Sequence, residues 1–493
     1  MARIMTAGAE NLQELERRAA FELDCLAYPA REWVKARQHG DRPVLDVLIV
    51  GGGQNGITIA FRLLRERVTN IRVLDRSDEG AEGPWLTFAR MHHLRTPKEV
   101  TGPDLGVPSL SARAWYEAQF GADSWTGLGK IPRELWARYL AWLRRVAGID
   151  VTHHAEVDDI EPIAGGLFAV TATIDGAKQA LFARNIVLAT GMEGSGRWIV
   201  PDMIERAVPR DRYHHTSEAI DFKALANRRV AVVGAGASAF DNAATALEHG
   251  AAAVDLYCRR PQLPVINPNR WIEFAGFLRH FADLDDAMKW RFMKLIFDMN
   301  QPPPQDAFRR CARFTGFALH LGSPIQHVGM VDDAIELHTP GGVSRADHLI
   351  AGTGFAIDFA ARPELGRIGR YIARWSDRYP PPAGEESLTL AGYPYLSHYF
   401  QFTEKVPGTA PYLKNIFCYT YAAMPSLACS AGISQLKFGV DRVGFGLTRE
   451  LFLDDAPSHL AGLREYRDPE LDASSYAAPG DDAAAAVKRR VSG

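Results

Sequence analysis

Two short apolar runs, each closed by a glycine-rich turn and followed by a small-residue stretch of helical character, organise the hydrophobic pattern of this chain. Residues 47–50 (Val-Leu-Ile-Val) lead into Gly-Gly-Gly-Gln-Asn-Gly at 51–56, and residues 230–233 (Val-Ala-Val-Val) lead into Gly-Ala-Gly-Ala-Ser-Ala at 234–239. Both runs are continuous rather than alternating, as expected of parallel strands covered on both faces. Elsewhere the period changes. Residues 131–146 carry the spacing of an amphipathic helix with Pro132 in its first turn. Alternating segments between 151 and 188, such as Leu-Phe-Ala-Val-Thr-Ala-Thr-Ile, predict a small antiparallel meander ending in Ala-Thr-Gly at 189–191. A related strand returns at 347–355, ending in Gly-Thr-Gly-Phe.

The remaining segments are of other kinds. Residues 1–45 predict a helical extension, with a second helical piece at 30–35 after an interruption at Pro29, and the core fold is expected to begin at Asp46. Residues 80–129 are rich in Pro and Gly and too long for an ordinary connection, which predicts a loop region shaped around a ligand. A helical insertion rich in Trp, Phe and Met is expected over about 262–322, and a helix opening at 430–437 should run to about 452. The 469–493 tail is Ala-, Asp-, Ser- and Gly-rich and reads as disordered.

In a dinucleotide-binding turn, Gly51 permits the bend, Gly53 lets backbone approach a pyrophosphate and Gly56 lets the following helix pack close. Gly234, Gly236 and Ala239 fill the same places in the second copy. The end of the next strand separates the ligands. Ile-Arg-Val-Leu at 71–74 ends in Asp75, whose carboxylate suits ribose hydroxyls and so an adenine dinucleotide without a 2′-phosphate. The matching strand at 254–258 is followed by Arg259 and Arg260, guanidinium groups where a 2′-phosphate would sit, so the second site reads as NADPH. The same pair would also suit a solvated basic corner. These features predict an α/β fold with two Rossmann-like dinucleotide-binding domains. The first is discontinuous, at 46–225 and 342–468, and the second spans 226–341 and carries the insertion.

Composition narrows the function classes. A 47% hydrophobic chain of 493 residues with net charge −3 gives no reason to expect nucleic acid or a membrane surface as partner, and no uninterrupted apolar run reaches spanning length. A soluble, cytoplasmic protein acting on a small molecule is expected, with its oligomeric state left open. The five cysteines (Cys25, Cys258, Cys311, Cys418 and Cys429) include no Cys-x-x-Cys pair and no metal-ligand spacing, which argues against dithiol chemistry and a metal site.

Residues 46 to about 452 resemble the two-dinucleotide-binding-domain flavoproteins, and within them the class B flavoprotein monooxygenases, the group of flavin-containing, Baeyer–Villiger and N-hydroxylating enzymes. The likeness includes Gly83-Pro84-Trp85, similar to the family's Gly-x-Trp, the segment Leu-Arg-Thr-Pro-Lys-Glu-Val at 94–100, and the paired Thr190-Gly191 and Gly352-Thr353-Gly354 turns. It implies FAD in the first site and NADPH in the second. It further implies a C4a-(hydro)peroxyflavin that inserts one atom of O2 into a small, rather apolar molecule at nitrogen, sulfur or a ketone. Gly432 and Ile433 would then face the flavin. The family's Phe-x-Gly-x-x-x-His run is degenerate: His215, Thr216 and Ser217 are kept, but Pro209 and Asp211 replace Phe and Gly. The 94–100 segment also lacks the family's Asn-Leu between Thr96 and Pro97. His215 and Arg270 are the candidate catalytic residues. A flavoprotein NADPH oxidoreductase delivering electrons to a quinone or to O2, and an NADPH-sensing protein, are the alternatives.

Overall fold

In the computed structural model, which describes residues 2–26, 31–100, 102–429 and 432–471, the first apolar run ends the strand Arg42–Val50 inside an eight-stranded sheet. Ile71–Leu74 and Ala177–Gly191 flank it in parallel, and Val151–Thr152 extends the parallel order. The long strand Ala177–Gly191 pairs antiparallel with Leu167–Ile174 through its first half and parallel with Ile416–Thr420 through its second. The expected meander is therefore an outgrowth of the main sheet, completed by Ala155–Ile163. Its alternation has the expected cause: Phe168, Val170, Ala172 and Ile174 are buried, and Ala169, Thr171 and Thr173 less so.

The second run lies at the middle of a five-stranded parallel sheet ordered Phe317–His320, Ala253–Tyr257, Arg229–Val233, His348–Ala351, Tyr213–His215. This sheet draws Tyr213–His215 and His348–Ala351 from outside the 226–341 span expected for it. Parallel neighbours require crossovers, and the helices Gln54–Arg65 and Ala237–Glu248 supply them, burying Ile57, Ile59 and Phe61 in one fold and Phe240, Ala243 and Leu247 in the other. A second antiparallel meander, His327–Val331, Ala334–Thr339 and Gly342–Ala346, precedes His348–Ala351. A ribbon of Gly196–Trp198 against Phe355–Ile357 joins the segments that come after the two crossover strands.

Several boundaries differ from expectation for identifiable reasons. The central strand begins at Arg42, not Asp46, because Asp46 is buried against Arg184 (Oδ1 to Nη1, 3.3 Å), so a charged residue sits inside the strand. The N-terminal helix Ala2–Cys25 is present, but residues 31–35 are irregular, and the Trp33 indole donates to the Glu66 carbonyl at 2.8 Å. Pro29 lies outside the described residues. Within 80–129 the chain forms Ala112–Phe120, whose N-cap Ser111 accepts from the Ala114 amide, and a short turn at Ser124–Gly127. The insertion comprises Pro268–Trp271, Ala275–His280, Asp286–Met299 and Gln305–Ala312, and then gives way to the strand Phe317–His320. The last helix, Leu436–Glu465, runs past the expected stop at 452 and through Pro457. Residues 472–493 lie outside the described residues. The chain divides into two compact units, Met1–Leu451 and Phe452–Gly493, and both sheets belong to the first.

At the ends of the two central strands the backbone approaches itself closely. Gly51 (φ +104°) has the Ala189 carbonyl oxygen 2.6 Å from where a Cβ would stand, and Gly234 (φ +118°) meets the Gly352 carbonyl inside van der Waals contact. Each first glycine thus abuts the turn at the end of the neighbouring crossover strand. Gly51→Ala and Gly234→Ala should each lose stability, with about 1–3 kcal/mol from left-handed backbone strain alone and the backbone clash in addition. Urea unfolding of the purified variants measures this; midpoints equal to the parent's would contradict the close approach.

Candidate active site

The first turn is built for a phosphate. The Gly51 amide donates to the Leu74 carbonyl at 2.7 Å, which brings the next residue, Asp75, beside the turn. Asp75 Oδ2 accepts from the Gly52 amide at 2.7 Å and Oδ1 from the Ser77 amide at 2.9 Å, fixing the carboxylate at the strand end. The helix Gln54–Arg65 starts at Gly53 with no side-chain cap, so the positive end of its dipole lies at the turn, where an anion is favoured. A Cβ on Gly56 would fall on the Gly51 carbonyl, whereas one on Gly53 would meet nothing nearer than Gly83 N at 3.8 Å. Gly56 is therefore required by packing, and Gly53 keeps open space beside the start of the helix. Thr190 Oγ1 is buried without a partner in the same wall. These features fit FAD.

A cavity of about 730 Å³ extends from this turn. Gly51, Gly53, Asp75 and Trp85 line it from the first fold, Thr190 and Gly191 from the crossover strand, and Gly432 and Ile433 from the approach to the last helix. Trp85 stands edge-on to the buried Trp136, ring centres 6.4 Å apart. The Gly432 amide donates to Gln435 Oε1 at 3.3 Å, so this amide is engaged in its own turn rather than free, and a 3-10 turn, Ile433–Gln435, precedes the helix. Ser430 and Ala431 lie outside the described residues.

The second turn repeats the geometry with different chemistry. The Gly234 amide donates to the Tyr257 carbonyl at 3.0 Å, so Cys258 holds the place of Asp75. Cys258 is buried, and Arg259 and Arg260 come next in the chain; among the described residues neither guanidinium has an ion pair or hydrogen bond. Gly236 caps the helix Ala237–Glu248 without a side-chain bond and has nothing within 4 Å of a Cβ position. Ala239 is tolerated where the first turn needs Gly56 because Gly352 faces it, a Cβ there standing 2.7 Å from that of Ala239. The Gly354 carbonyl accepts from the Ile199 amide at 3.0 Å. Gly234, Gly236, Ala239, Arg259, Arg260, Gly352 and Gly354 lie outside the lining of the 730 Å³ cavity. These residues fit a second nucleotide bearing an extra phosphate.

The two candidate catalytic residues part company. His215 is buried against Trp198 (ring centres 5.2 Å), with Nδ1 2.7 Å from Ser217 Oγ, and burial holds its imidazole below the ordinary value. Ser217, not His215, lines the cavity. Arg270 does line it, with Nη2 donating to the Arg95 carbonyl at 2.8 Å and Nη1 3.5 Å from Glu273. Two features escaped the sequence reading. Arg95, also in the cavity wall, bridges to Asp241 of the second nucleotide fold at 2.7 Å, and Arg310 holds Asp241 and Glu248 at 3.3 and 2.8 Å. Burial raises the Asp241 carboxyl above the ordinary range, with Arg95 opposing. A carboxylate in an otherwise Ala-rich helix was the available signal.

The other is the polarity of the insertion's contribution. Asn267, Asn269, Arg270, Glu273 and Gln301 face the cavity, while Phe277, Phe281 and Trp290 are buried in a separate cluster with Trp375. The aromatic stretch at 392–402 is likewise packing, with Tyr393, Leu396, Phe400 and Phe402 buried. Cys258, Cys311, Cys418 and Cys429 are buried and unbridged, and burial pushes the Cys311 and Cys418 thiols up to about 12. Among the described residues no helix is long and apolar enough to cross a membrane, and no group of three or more His, Cys, Asp or Glu is placed to hold a metal.

Gly53→Val should leave the fold intact and abolish FAD retention, because the side chain fills space that the protein itself leaves open. Yellow protein from that variant would contradict the assignment. Replacing Arg259 and Arg260 with Ala should raise KM for NADPH roughly 10- to 100-fold, on the order of 1–3 kcal/mol of charge-assisted hydrogen bonding, with little change for NADH. Equal loss with both nucleotides in steady-state kinetics would contradict it.

Comparison with known proteins agrees with this geometry. Residues 48–193 match the FAD-NAD(P)-binding family, and residues 125–273 match the L-lysine 6-monooxygenase/L-ornithine 5-monooxygenase family. The FAD-dependent urate hydroxylase of Xanthomonas campestris pv. campestris is 43% identical over 463 residues, covering 94% of this chain and 97% of that protein. In fold, the chain is similar to the ornithine hydroxylase of Pseudomonas aeruginosa (TM-score 0.65, 16% identity, 83% of this chain and 100% of that one). It is also similar to the ornithine N-hydroxylase of Kutzneria sp. 744, solved with reduced FAD, NADP+ and L-ornithine (TM-score 0.64, 16% identity, 83% and 100%). FAD and NADP(H) are therefore the cofactors of this enzyme, and the chain belongs to the class B flavoprotein monooxygenases, in the family of the Xanthomonas FAD-dependent urate hydroxylase.

Proposed function

We propose that this protein is an NADPH-dependent FAD monooxygenase that hydroxylates urate. The carrying observation is the 43% identity to the urate hydroxylase across 94% of the chain. The polar strip that the insertion turns toward the cavity supports it, because a purine with several carbonyls and N–H groups needs hydrogen-bonding partners rather than an aromatic wall. This reading replaces the apolar substrate expected from the resemblance, and puts a ring carbon in place of nitrogen, sulfur or a ketone. The balance is one urate, one O2, one NADPH and one proton giving hydroxylated urate, NADP+ and water.

Bound FAD, reduced by NADPH and reoxidised by O2, supplies the oxygen-transfer chemistry. The protein's part is holding, orienting and keeping dry. The N-terminal end of Gln54–Arg65 would hold the FAD pyrophosphate through the helix dipole, and Asp75, fixed by two amides, would accept from the ribose. Arg259 and Arg260 would hold the 2′-phosphate of NADPH. Ser217, set by the neutral His215 behind it, presents a hydroxyl to the cavity with its orientation fixed. Trp85 and the buried Leu94 and Ile433 give the same wall apolar surface that excludes water.

The test is stoichiometry. With urate present, NADPH oxidation should accelerate and urate loss, O2 uptake and NADPH consumption should run close to one to one to one, with little hydrogen peroxide. NADPH oxidation indifferent to urate, with O2 recovered as peroxide, would instead support the oxidase reading and overturn this one.

A further inference from the structure

Resting on the proposed urate reaction, we infer that Arg270 and the amides beside it form the substrate-reading edge of the cavity, built for a planar heterocyclic anion rich in carbonyls. Arg270 stands on the short helix Pro268–Trp271 at the start of the insertion, and its guanidinium is held at both ends without being used up. One terminal nitrogen donates to the Arg95 carbonyl at 2.8 Å and the other lies 3.5 Å from Glu273, while the side chain keeps 47% of its surface exposed. A cation anchored by a backbone carbonyl and a weak ion pair is preorganised and retains donors for an incoming anion.

The neighbouring groups complement it. Asn267 Oδ1 is taken by the Asn269 amide at 3.1 Å, so the free end of Asn267 is its NH2, a donor pair. The Asn269 and Gln301 side-chain amides have no hydrogen-bond partner among the described residues, and both line the cavity. Glu273, with 17% of its side chain exposed, supplies an acceptor in the same strip. Guanidinium and amide donors for carbonyl oxygens, together with one carboxylate for a ring N–H, match an oxidised purine, which is a monoanion at neutral pH. Arg76 and Arg362, the other arginines of the wall, are held by Glu193 at 2.6 Å and Glu364 at 2.8 Å, and Arg95 by Asp241 at 2.7 Å. Arg270 has the weakest counter-ion of the four.

This assignment gives the insertion a division of labour. Its aromatic residues build a rigid body, and the edge of that body delivers polar groups to the cavity. Discrimination against a less oxidised purine is a consequence, because a site built around donors leaves them unpaired when a carbonyl is missing.

The experiment uses the FAD-loaded enzyme and urate as the probe, with binding monitored by the change in flavin absorbance and turnover by urate-dependent NADPH oxidation. Arg270→Ala should raise the Kd and KM for urate about 10- to 100-fold, Arg270→Lys should recover part of the loss, and Asn269→Ala should raise KM by several-fold. FAD content and Kd for NADP+ should stay at parent values in all three. Urate affinity changing less than two-fold in both Arg270→Ala and Asn269→Ala, or NADP+ affinity falling in parallel with it, would overturn the assignment while leaving the urate reaction standing. Parent enzyme that neither binds urate nor couples its loss to NADPH would sink the proposed reaction itself, which separates the two failures.

Discussion

Two places where main chain touches main chain hold this molecule in its working shape: Gly51 against Ala189, and Gly234 against Gly352. Each is the point where a central parallel strand ends, bends through a positive φ and meets the turn at the end of the adjacent strand. Without a side chain at the bend, the two strand ends close up, and the following helix starts beside the gap with no side-chain cap. The same construction occurs in both folds. The difference lies in the residue delivered at the next strand end, a fixed carboxylate in one case and a buried thiol followed by two arginines without an ion pair among the described residues in the other.

That repetition is why so much of the fold was legible. A glycine-rich turn after an apolar run reports strand, bend and helix together, and the chain contains it twice, so the parallel core of both sheets could be placed from local sequence. The meander was legible through its alternation. Lost were the places where tertiary pairing overrides local character. Asp46 looks like a boundary until Arg184 comes to neutralise it inside the strand, and residues 31–35 look helical until Trp33 is spent on a distant carbonyl. Tyr213–His215 is too short to announce itself and becomes a strand only because His348–Ala351 offers an edge.

The candidate site divides in the same way. The residues expected around the two phosphate turns are local in sequence, and each set stands together at the end of its central strand. Its substrate-facing half is assembled from four separated segments, Arg95, Ser217, the 267–273 strip and Gln301, and no periodicity joins them. The insertion's aromatic rings pack on each other and on Trp375, as core residues do, and the polar residues between them reach the cavity. The Arg95–Asp241–Arg310 bridge adds a mechanical element: the helix that begins at the second phosphate turn is tied by a buried carboxylate to the wall of the first cavity.

The central claim is that these are two separate nucleotide seats working in series, and anaerobic bleaching of the flavin by NADPH in Gly236→Val tests it most directly. Since Gly236 has nothing within 4 Å of its Cβ position, the variant should fold and keep its FAD. Its flavin should be reduced by dithionite at the parent's rate but by NADPH only very slowly. Loss of FAD from that variant, or undiminished bleaching by NADPH, would contradict the account.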